Sequence, residues 1–155
     1  ILEGAQAGLA WITVLKKREG YKRAFDGFDV QKIASYGKRE ITRLLNDDRI
    51  IRNRLKVEST VTNAQAFLDI KDRHRNFADY IWQFVDGTPI QNRFRSSQSV
   101  PATTSVSDAM SKQLKKDGFR FVGSTICYAY MQATGMVNDH LIDCHRHEIC
   151  ADLIN

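Results

Sequence analysis

The sequence predicts an all-α fold, and three observations support that prediction. Apolar residues recur every three to four positions along most of the chain, and no alternating strand pattern persists. Only two prolines occur, Pro89 and Pro101, and both lie in one stretch, residues 86–105. The 155 residues, 43% hydrophobic and 26% charged, suit one globular domain. No run approaches the roughly 18 apolar residues that cross a bilayer, which excludes a membrane span.

Three helical segments are expected before residues 86–105, which we predict to be a linker. Each segment carries side chains at helical spacing. They are Leu9, Ile12 and Leu15 in the first, Leu55, Thr62, Ala66 and Phe67 in the middle one, and Phe77, Tyr80, Ile81 and Phe84 in the third. The single domain 1–155 therefore divides into a central lobe of about residues 1–85, the linker, and C-terminal helices in residues 106–155.

A helix, a short turn and a second helix are predicted after the linker. Ser107 and Asp108 are expected to cap the first helix, and Gly118 to end it. The second helix begins at Gly123 or Ser124 and continues to about residue 134. Backbone N–H groups at its start, close to several lysines, suit a phosphate ion. An ordinary helical hairpin of a bundle remains the alternative.

The net charge of +5 is unevenly distributed along the chain. Residues 1–77 carry 16 basic and 10 acidic side chains, whereas residues 78–155 carry 7 and 8. Basic clusters suit phosphate neutralisation, although solvated helix faces give the same pattern. The sequence contains no Ser-His-Asp set, no GxxxxGK loop and no GxGxxG fingerprint, which sets those enzyme classes aside.

Glu3 lies in an otherwise apolar segment, eight residues before Trp11. If this segment is one helix, the two side chains lie roughly on one face. A carboxylate beside an indole suits a pocket for an extruded base, because one group hydrogen-bonds the base edge while the other stacks on its face. A capping Glu and a core Trp are the alternative.

The C-terminal stretch holds five potential metal ligands, namely His140, Cys144, His145, His147 and Cys150. His140 and Cys144 are four residues apart, so a helix would place them on one face, as two adjacent zinc ligands require. The other two ligands must come from His147 and Cys150 or from sequence upstream of Ile1. Surface histidines and incidental cysteines are the alternative. Three cysteines without an export signal favour free thiols in a reducing cytoplasm.

The chain resembles the bacterial type I 3-methyladenine DNA glycosylases of the helix-hairpin-helix superfamily. The resemblance covers essentially the whole chain and depends most on EGAQAGLAWITVLKKRE, on PATTSVSDAMSKQLKKDGFRFVGSTICYAYMQATGMVNDH, and on the pair His140 and Cys144. It implies a two-lobed all-α fold about a DNA-binding cleft. It also implies base flipping from alkylated double-stranded DNA and hydrolysis of the N-glycosidic bond of 3-methyladenine. We expect the enzyme to be a cytoplasmic monomer.

The resemblance assigns roles to individual residues. Glu3 matches the catalytic, base-contacting glutamate, and Trp11 the aromatic residue that stacks on the expelled base. Gly8 and Leu9 match the loop that wedges into the duplex. Two of the four ligands of a structural zinc ion match His140 and Cys144. The hairpin that holds DNA phosphates matches Gly118, Phe119, Arg120, Phe121, Val122, Gly123 and Ser124.

Three departures accompany the resemblance. The family's remaining zinc ligands and its pocket tyrosines belong to a segment that would precede Ile1 and is not among these 155 residues. Phe121 stands where the superfamily has its first hairpin glycine. Asn138 stands where the superfamily has a catalytic aspartate, as in this subfamily generally. A non-catalytic DNA-damage-binding module and a helical scaffold that binds no nucleic acid are the alternative functions.

Overall fold

The structure, a computed structural model, describes residues 1–153, and it confirms the all-α prediction. The helices are α1 (Leu2–Gln6), α2 (Trp11–Leu15), α3 (Arg18–Ala24), α4 (Val30–Ala34), α5 (Lys38–Leu45), α6 (Arg54–Arg73), α7 (Phe77–Trp82), α8 (Ser105–Lys116), α9 (Ser124–Ala133) and α10 (Arg146–Asp152). Two short strands, β1 (Ile90–Gln91) and β2 (Val137–Asn138), pair in parallel. Within these residues, no helix is both long and apolar enough to span a membrane.

Two hydrophobic cores form two lobes that share α6. The N-terminal core joins α1 to α5 with Val57 and Ala64 of α6. The C-terminal core joins Ile70 of α6 with α7, α8, α9 and β2. The boundary between the two cores therefore lies within α6, whereas the sequence predicted that the central lobe extends to about residue 85. Because the 20-residue α6 enters both lobes, it fixes one relative to the other.

The start of α6 is fixed by a side-chain cap. The Oδ1 atom of Asn53 accepts a hydrogen bond from the backbone N–H of Lys56 at 3.1 Å, which satisfies one of the unpaired donors at the helix start. The helix then buries the face that carries Val57 and Val61. Leu55, which the spacing assigned to the core, is 64% exposed, because it lies on the opposite side of the first turn.

The predicted pair of helices around a short turn is confirmed as α8 and α9. Thr104, three residues before the predicted cap, starts α8, and its backbone N–H donates to the Ser107 hydroxyl at 2.8 Å. The end of α8 is as predicted: Gly118 has φ +92°, and the Phe119 N–H donates to the Leu114 carbonyl at 2.9 Å. This is the Schellman motif that glycine favours.

The predicted linker is packed against the C-terminal lobe. Ile90 of β1 pairs with Val137 of β2. Farther along, the Phe94 carbonyl accepts a hydrogen bond from the Ile142 N–H at 3.0 Å. The sequence did not predict these strands, because two residues are too few to show an alternating pattern.

Gly20 allows α3 to lie directly against the loop after α5. A Cβ atom there would overlap the carbonyl oxygen of Arg49 and lie 2.8 Å from the Arg49 Cβ. Backbone atoms move only with the loop, so Gly20→Ala is expected to lower the free energy of unfolding by about 2 kcal/mol. Urea unfolding measures this effect. Gly37→Ala is the control, since a Cβ there meets only the Glu40 carboxylate at 3.6 Å; equal losses would contradict the prediction.

Candidate functional site

A cavity of about 440 Å³ lies where the two cores meet. It is bounded by α1, α4, α6, α7, α8, α9 and the turn between α8 and α9. Most of the lining is apolar, and it includes the aromatic rings of Phe28, Phe67, Phe77, Phe119, Phe121 and Tyr130. Polar groups come from α1 and α6, namely Glu3, Lys56, Ser59, Thr60 and Asn63. A concave apolar space with a few polar groups is typical of a small-molecule site.

Glu3 extends from α1 into the wall of this cavity. Its side chain is half-buried, and this burial raises the pKa of the carboxyl above the usual value for a glutamate. Gly4, the next residue, lies against the turn between α8 and α9, because a Cβ there would meet the Phe121 Cβ at 3.7 Å. Glu3 is therefore placed beside the predicted phosphate hairpin, which the sequence separates from it by more than a hundred residues.

Trp11 does not line this cavity. The prediction that it shares one helix face with Glu3 is wrong, because α1 ends at Gln6 and α2 begins at Trp11. The Trp11 side chain is 40% exposed and continues into an exposed apolar strip with Ile12 and Leu15. Part of the Trp11 side chain is therefore open to solvent outside the cavity.

Residues 7–10, which we call the wedge loop, separate α1 from α2. Gly8 has φ +75° and is exposed, a conformation that a residue with a side chain rarely adopts. The Gln6 side chain donates from Nε2 to the Leu9 carbonyl at 2.7 Å. Leu9 is half-buried in this loop. The predicted wedge residues thus occupy a turn at the surface next to α1.

The hairpin, residues 118–124, both lines the cavity and faces outward. Phe119, Phe121 and Val122 line the cavity, while Arg120 is exposed. Space is open around Gly123, since a Cβ there would meet no atom within 4 Å. The first N–H groups of α9 have no partner within the helix. The hairpin therefore offers backbone donors at an open surface.

Phe121 has the backbone conformation of a glycine. Its φ is +55°, in the left-handed region where a bulky side chain costs about 1–2 kcal/mol. This explains the superfamily glycine at the matching position. The strain is held by the packing of the Phe121 ring in the cavity and of its Cβ against Gly4.

His140 and Cys144 come together, although not on a helix. Both lie between β2 and α10, where a turn closed by the Cys144 N–H and the Leu141 carbonyl at 2.9 Å brings them to one side. The Cys144 Sγ lies 3.7 Å from the His140 Nδ1. Two ligands of a tetrahedral zinc ion are about 3.5 Å apart, given typical Zn–N and Zn–S distances. The pair fits two of the four positions around such an ion.

The rest of the histidine- and cysteine-rich stretch does not join this pair. Among residues 1–153, no group of three or more His, Cys, Asp or Glu side chains is arranged to hold a metal. His147 is 4% exposed, and its Nε2 lies 2.9 Å from the Asn92 carbonyl oxygen. Of the two sources of further ligands that the sequence left open, His147 and Cys150 are therefore not supported. His147 instead fastens the linker to α10.

Asn138 has a structural role at the position of the superfamily aspartate. It is 5% exposed, and its Nδ2 donates to Gln91 Oε1 at 2.8 Å and to the His147 carbonyl at 2.9 Å. The adjacent carboxylate, Asp139, accepts a hydrogen bond from the Tyr128 hydroxyl at 2.6 Å. Neither Asn138 nor Asp139 lines the cavity, which leaves Glu3 as its acidic side chain.

Lys56 and Asn63 were missed by the sequence reasoning. The Lys56 Nζ donates to the carbonyl oxygens of Ala5 and Ala7 at 2.8 and 2.6 Å. The Asn63 side chain forms two hydrogen bonds with the backbone of Arg120. These partners are about 50 residues away in the sequence, and no local pattern signals them.

Comparison with known proteins shows consistent similarity. A family model described as methyladenine glycosylase matches residues 1–147. Over 143 residues, the chain is 52% identical to a DNA-3-methyladenine glycosylase of Haemophilus influenzae, with 92% of this chain and 77% of that protein covered. The corresponding values for DNA-3-methyladenine glycosylase 1 of Escherichia coli are 48% over 143 residues, 92% and 76%. A crystal structure of a variant 3-methyladenine DNA glycosylase I in complex with 3-methyladenine matches with a TM-score of 0.91 and 33% identity, covering 94% of this chain and 78% of that one.

Proposed function

This chain belongs to the methyladenine glycosylase family, and from that premise we infer its function. It is a DNA repair enzyme that hydrolyses the N-glycosidic bond of 3-methyladenine in alkylated DNA. The observation that carries this conclusion, beside the family, is an apolar cavity with Glu3 in its wall and the hairpin beside it. A base removed from the duplex needs such a water-poor pocket with a polar group to orient it.

We propose that the hairpin and the wedge loop engage the DNA together. The open backbone around Gly123 and the N–H groups at the start of α9 bind phosphate oxygens, which positions the duplex without regard to sequence. Leu9 enters the base stack where the damaged nucleotide leaves, as apolar wedges do in bent DNA. Trp11, two residues after Leu9 and 40% exposed, stacks on the expelled base from outside the apolar cavity that holds Glu3.

Glu3 acts on the charge of the lesion. Methylation at N3 gives adenine a positive charge, so a carboxylate in an apolar wall attracts the lesion more strongly than neutral adenine. Its oxygens accept hydrogen bonds from the exocyclic amine of the base. The negative charge of the Glu3 carboxylate also stabilises the electron-poor sugar that develops as the bond breaks.

The bond-breaking step needs no strong general base. The C1′–N9 bond breaks, its electron pair passes to the base, and 3-methyladenine leaves as a neutral molecule. A water oxygen bonds to C1′ and releases its proton to solvent. The structural roles of Asn138 and Asp139 agree with this chemistry, because the lesion's own charge makes the base a good leaving group.

Release of free base from methylated DNA tests this function. We expect the purified protein to release 3-methyladenine, measured by chromatography of the soluble fraction. DNA binding without release would identify the non-catalytic damage-binding module, which the names of the relatives do not favour. The absence of any salt-dependent DNA affinity would identify a helical scaffold.

We propose that His140 and Cys144 bind a structural zinc ion. Their 3.7 Å separation supports this, as does the chemistry of imidazole and thiolate. The ion would tie the segment before α10 to its remaining ligands and take no part in the reaction.

Metal analysis of the purified protein tests the zinc proposal. We expect one zinc ion per chain, lost in His140→Ala and in Cys144→Ser. His145→Ala is the control, because His145 is a neighbouring histidine outside the proposed pair. A correctly folded protein without zinc, or equal zinc loss in the control, would contradict the proposal.

We also propose a cytoplasmic monomer. The cavity, the hairpin and the wedge loop all belong to one chain, so the site needs no second copy. Three free cysteines, one of them buried, agree with a reducing compartment.

A further inference from the structure

Lys56 holds the end of α1 from the first turn of α6. Its ammonium group donates to the Ala5 and Ala7 carbonyls, which lie at the C-terminal end of α1. A five-residue helix leaves its last carbonyls without partners, and a cation at that end also meets the favourable end of the helix dipole. Ala7 is the first residue of the wedge loop, so Lys56 fixes the point from which Gly8 and Leu9 extend.

Local energetics oppose a lysine at position 56. It is the third residue of α6, near the positive end of the helix dipole, where a cation is unfavourable. Burial also removes water from its ammonium group, which disfavours the charged form and lowers the pKa of Lys56. The two charge-assisted hydrogen bonds to α1 offset both costs.

Asn63 holds the hairpin in the same way. Its Nδ2 donates to the Arg120 carbonyl at 2.9 Å, and its Oδ1 accepts from the Arg120 N–H at 2.7 Å. Asparagine is a poor helix former in the middle of a 20-residue helix. One turn farther along, a Cβ at Gly118 would lie 3.8 Å from the Ala66 Cβ, so the hairpin rests directly on α6.

Lys56 and Asn63 lie on one face of one rigid helix. They are seven positions apart, which is about two turns or 10.5 Å along the axis. Both line the cavity. The wedge loop and the hairpin, the two elements that engage DNA, are therefore attached to the same helix at a fixed spacing.

We propose that Lys56 and Asn63 are positioning residues that set the distance between the wedge loop and the phosphate hairpin. Phosphate binding at the hairpin then places Leu9 at the base step that must open. A displacement of about 1 Å in such an arrangement lowers a rate by roughly a hundredfold. The inference rests on the proposed function, because it assigns DNA contacts to both elements.

Single-turnover release of 3-methyladenine from methylated duplex and from the separated strands tests the proposal. Lys56→Met and Asn63→Leu are each expected to lower the maximal rate on duplex by at least about tenfold. On single strands, where no opposing stack needs a wedge, each change should lower the rate by less than threefold. Lys56→Arg should restore most of the duplex rate, since the guanidinium also donates to carbonyls.

The double variant and a control complete the test. Lys56→Met with Asn63→Leu should be at most threefold slower on duplex than the slower single variant, because either change already breaks the fixed spacing. Lys71→Met, an exposed lysine on the same helix, should match the unaltered protein. The proposal would be overturned if a single variant lost the same factor in rate on duplex and on single strands. It would also be overturned if the rate loss of the double variant on duplex were the product of the two single losses. If the unaltered protein releases no base, the proposed function fails first and this inference with it.

Discussion

Glu3→Gln is expected to slow the release of 3-methyladenine by about 100- to 1000-fold, the usual cost of losing one electrostatic contact to a developing charge. The amide keeps the shape of the side chain and can still accept a hydrogen bond. It loses the negative charge that offsets the cationic lesion in an apolar wall. Single-turnover kinetics on methylated duplex measure the effect.

The same substitution should make the fold more stable at neutral pH. Burial raises the pKa of the Glu3 carboxyl in the folded chain, so the protonated form is favoured and stability is lost as the pH rises through that pKa. Glutamine carries no charge and avoids this loss. Urea unfolding at pH 7 should therefore show a higher midpoint for the variant. Such opposite effects on stability and rate are typical of a functional group.

Activity should also depend on pH through Glu3. The carboxylate is the active form, so the rate should fall on the acid side at a higher pH than an ordinary glutamate would give. Glu3→Gln should remove this acid limb. Glu58→Gln is the control, since Glu58 forms a partly exposed pair with Arg54 on α6. A Glu3→Gln variant that keeps the rate of the unaltered protein would contradict the assignment of the pocket.

Helix ends were predictable where one residue type dominates the geometry. Gly118 has a φ of +92° and ends α8, as the sequence indicated, and Gly135, with a φ of +75°, follows the end of α9. The start of α8 was not, because Thr104 and Ser107 are both capping residues and each hydrogen-bonds the other's backbone N–H.

The spacing of the apolar residues did not predict the break between α1 and α2. That spacing continues across Gly8, so the pattern alone favoured one helix. Glycine at φ +75° and the Gln6 contact with Leu9 decide otherwise. Consequently Glu3 lies in the cavity wall, whereas Trp11 begins a separate helix and does not share a helix face with it.

The contacts among the residues that line the cavity could not be predicted from the sequence. The hairpin was found from its helices, but no local signal says that Phe121 faces Gly4 or that Lys56 reaches Ala7. Such contacts depend on how the two lobes share α6. The proximity of His140 and Cys144 was predicted for an incorrect reason, since a turn produces what a helix was expected to produce.

Trp11→Ala is expected to slow release from duplex DNA by about 10- to 100-fold, the value of stacking one base on one aromatic ring. The side chain is 40% exposed, so its removal should lower the free energy of unfolding by less than the loss of a fully buried aromatic ring would, and urea unfolding checks that the variant is folded. Trp11→Phe should recover most of the rate because it keeps an aromatic face. Binding of free 3-methyladenine, followed by calorimetry, should weaken in parallel.

A matched pair of variants separates the surface ring from the cavity rings. Ile12→Ala removes an even more exposed apolar side chain, 57% exposed, from the same helix and should leave the rate unchanged if stacking, rather than surface hydrophobicity, matters. Phe121→Leu keeps apolar bulk in the cavity but removes its ring. If Trp11→Ala were fully active while Phe121→Leu lost the stacking energy, the aromatic rings of the cavity alone would stack on the base. Such a result would contradict the stacking role of Trp11.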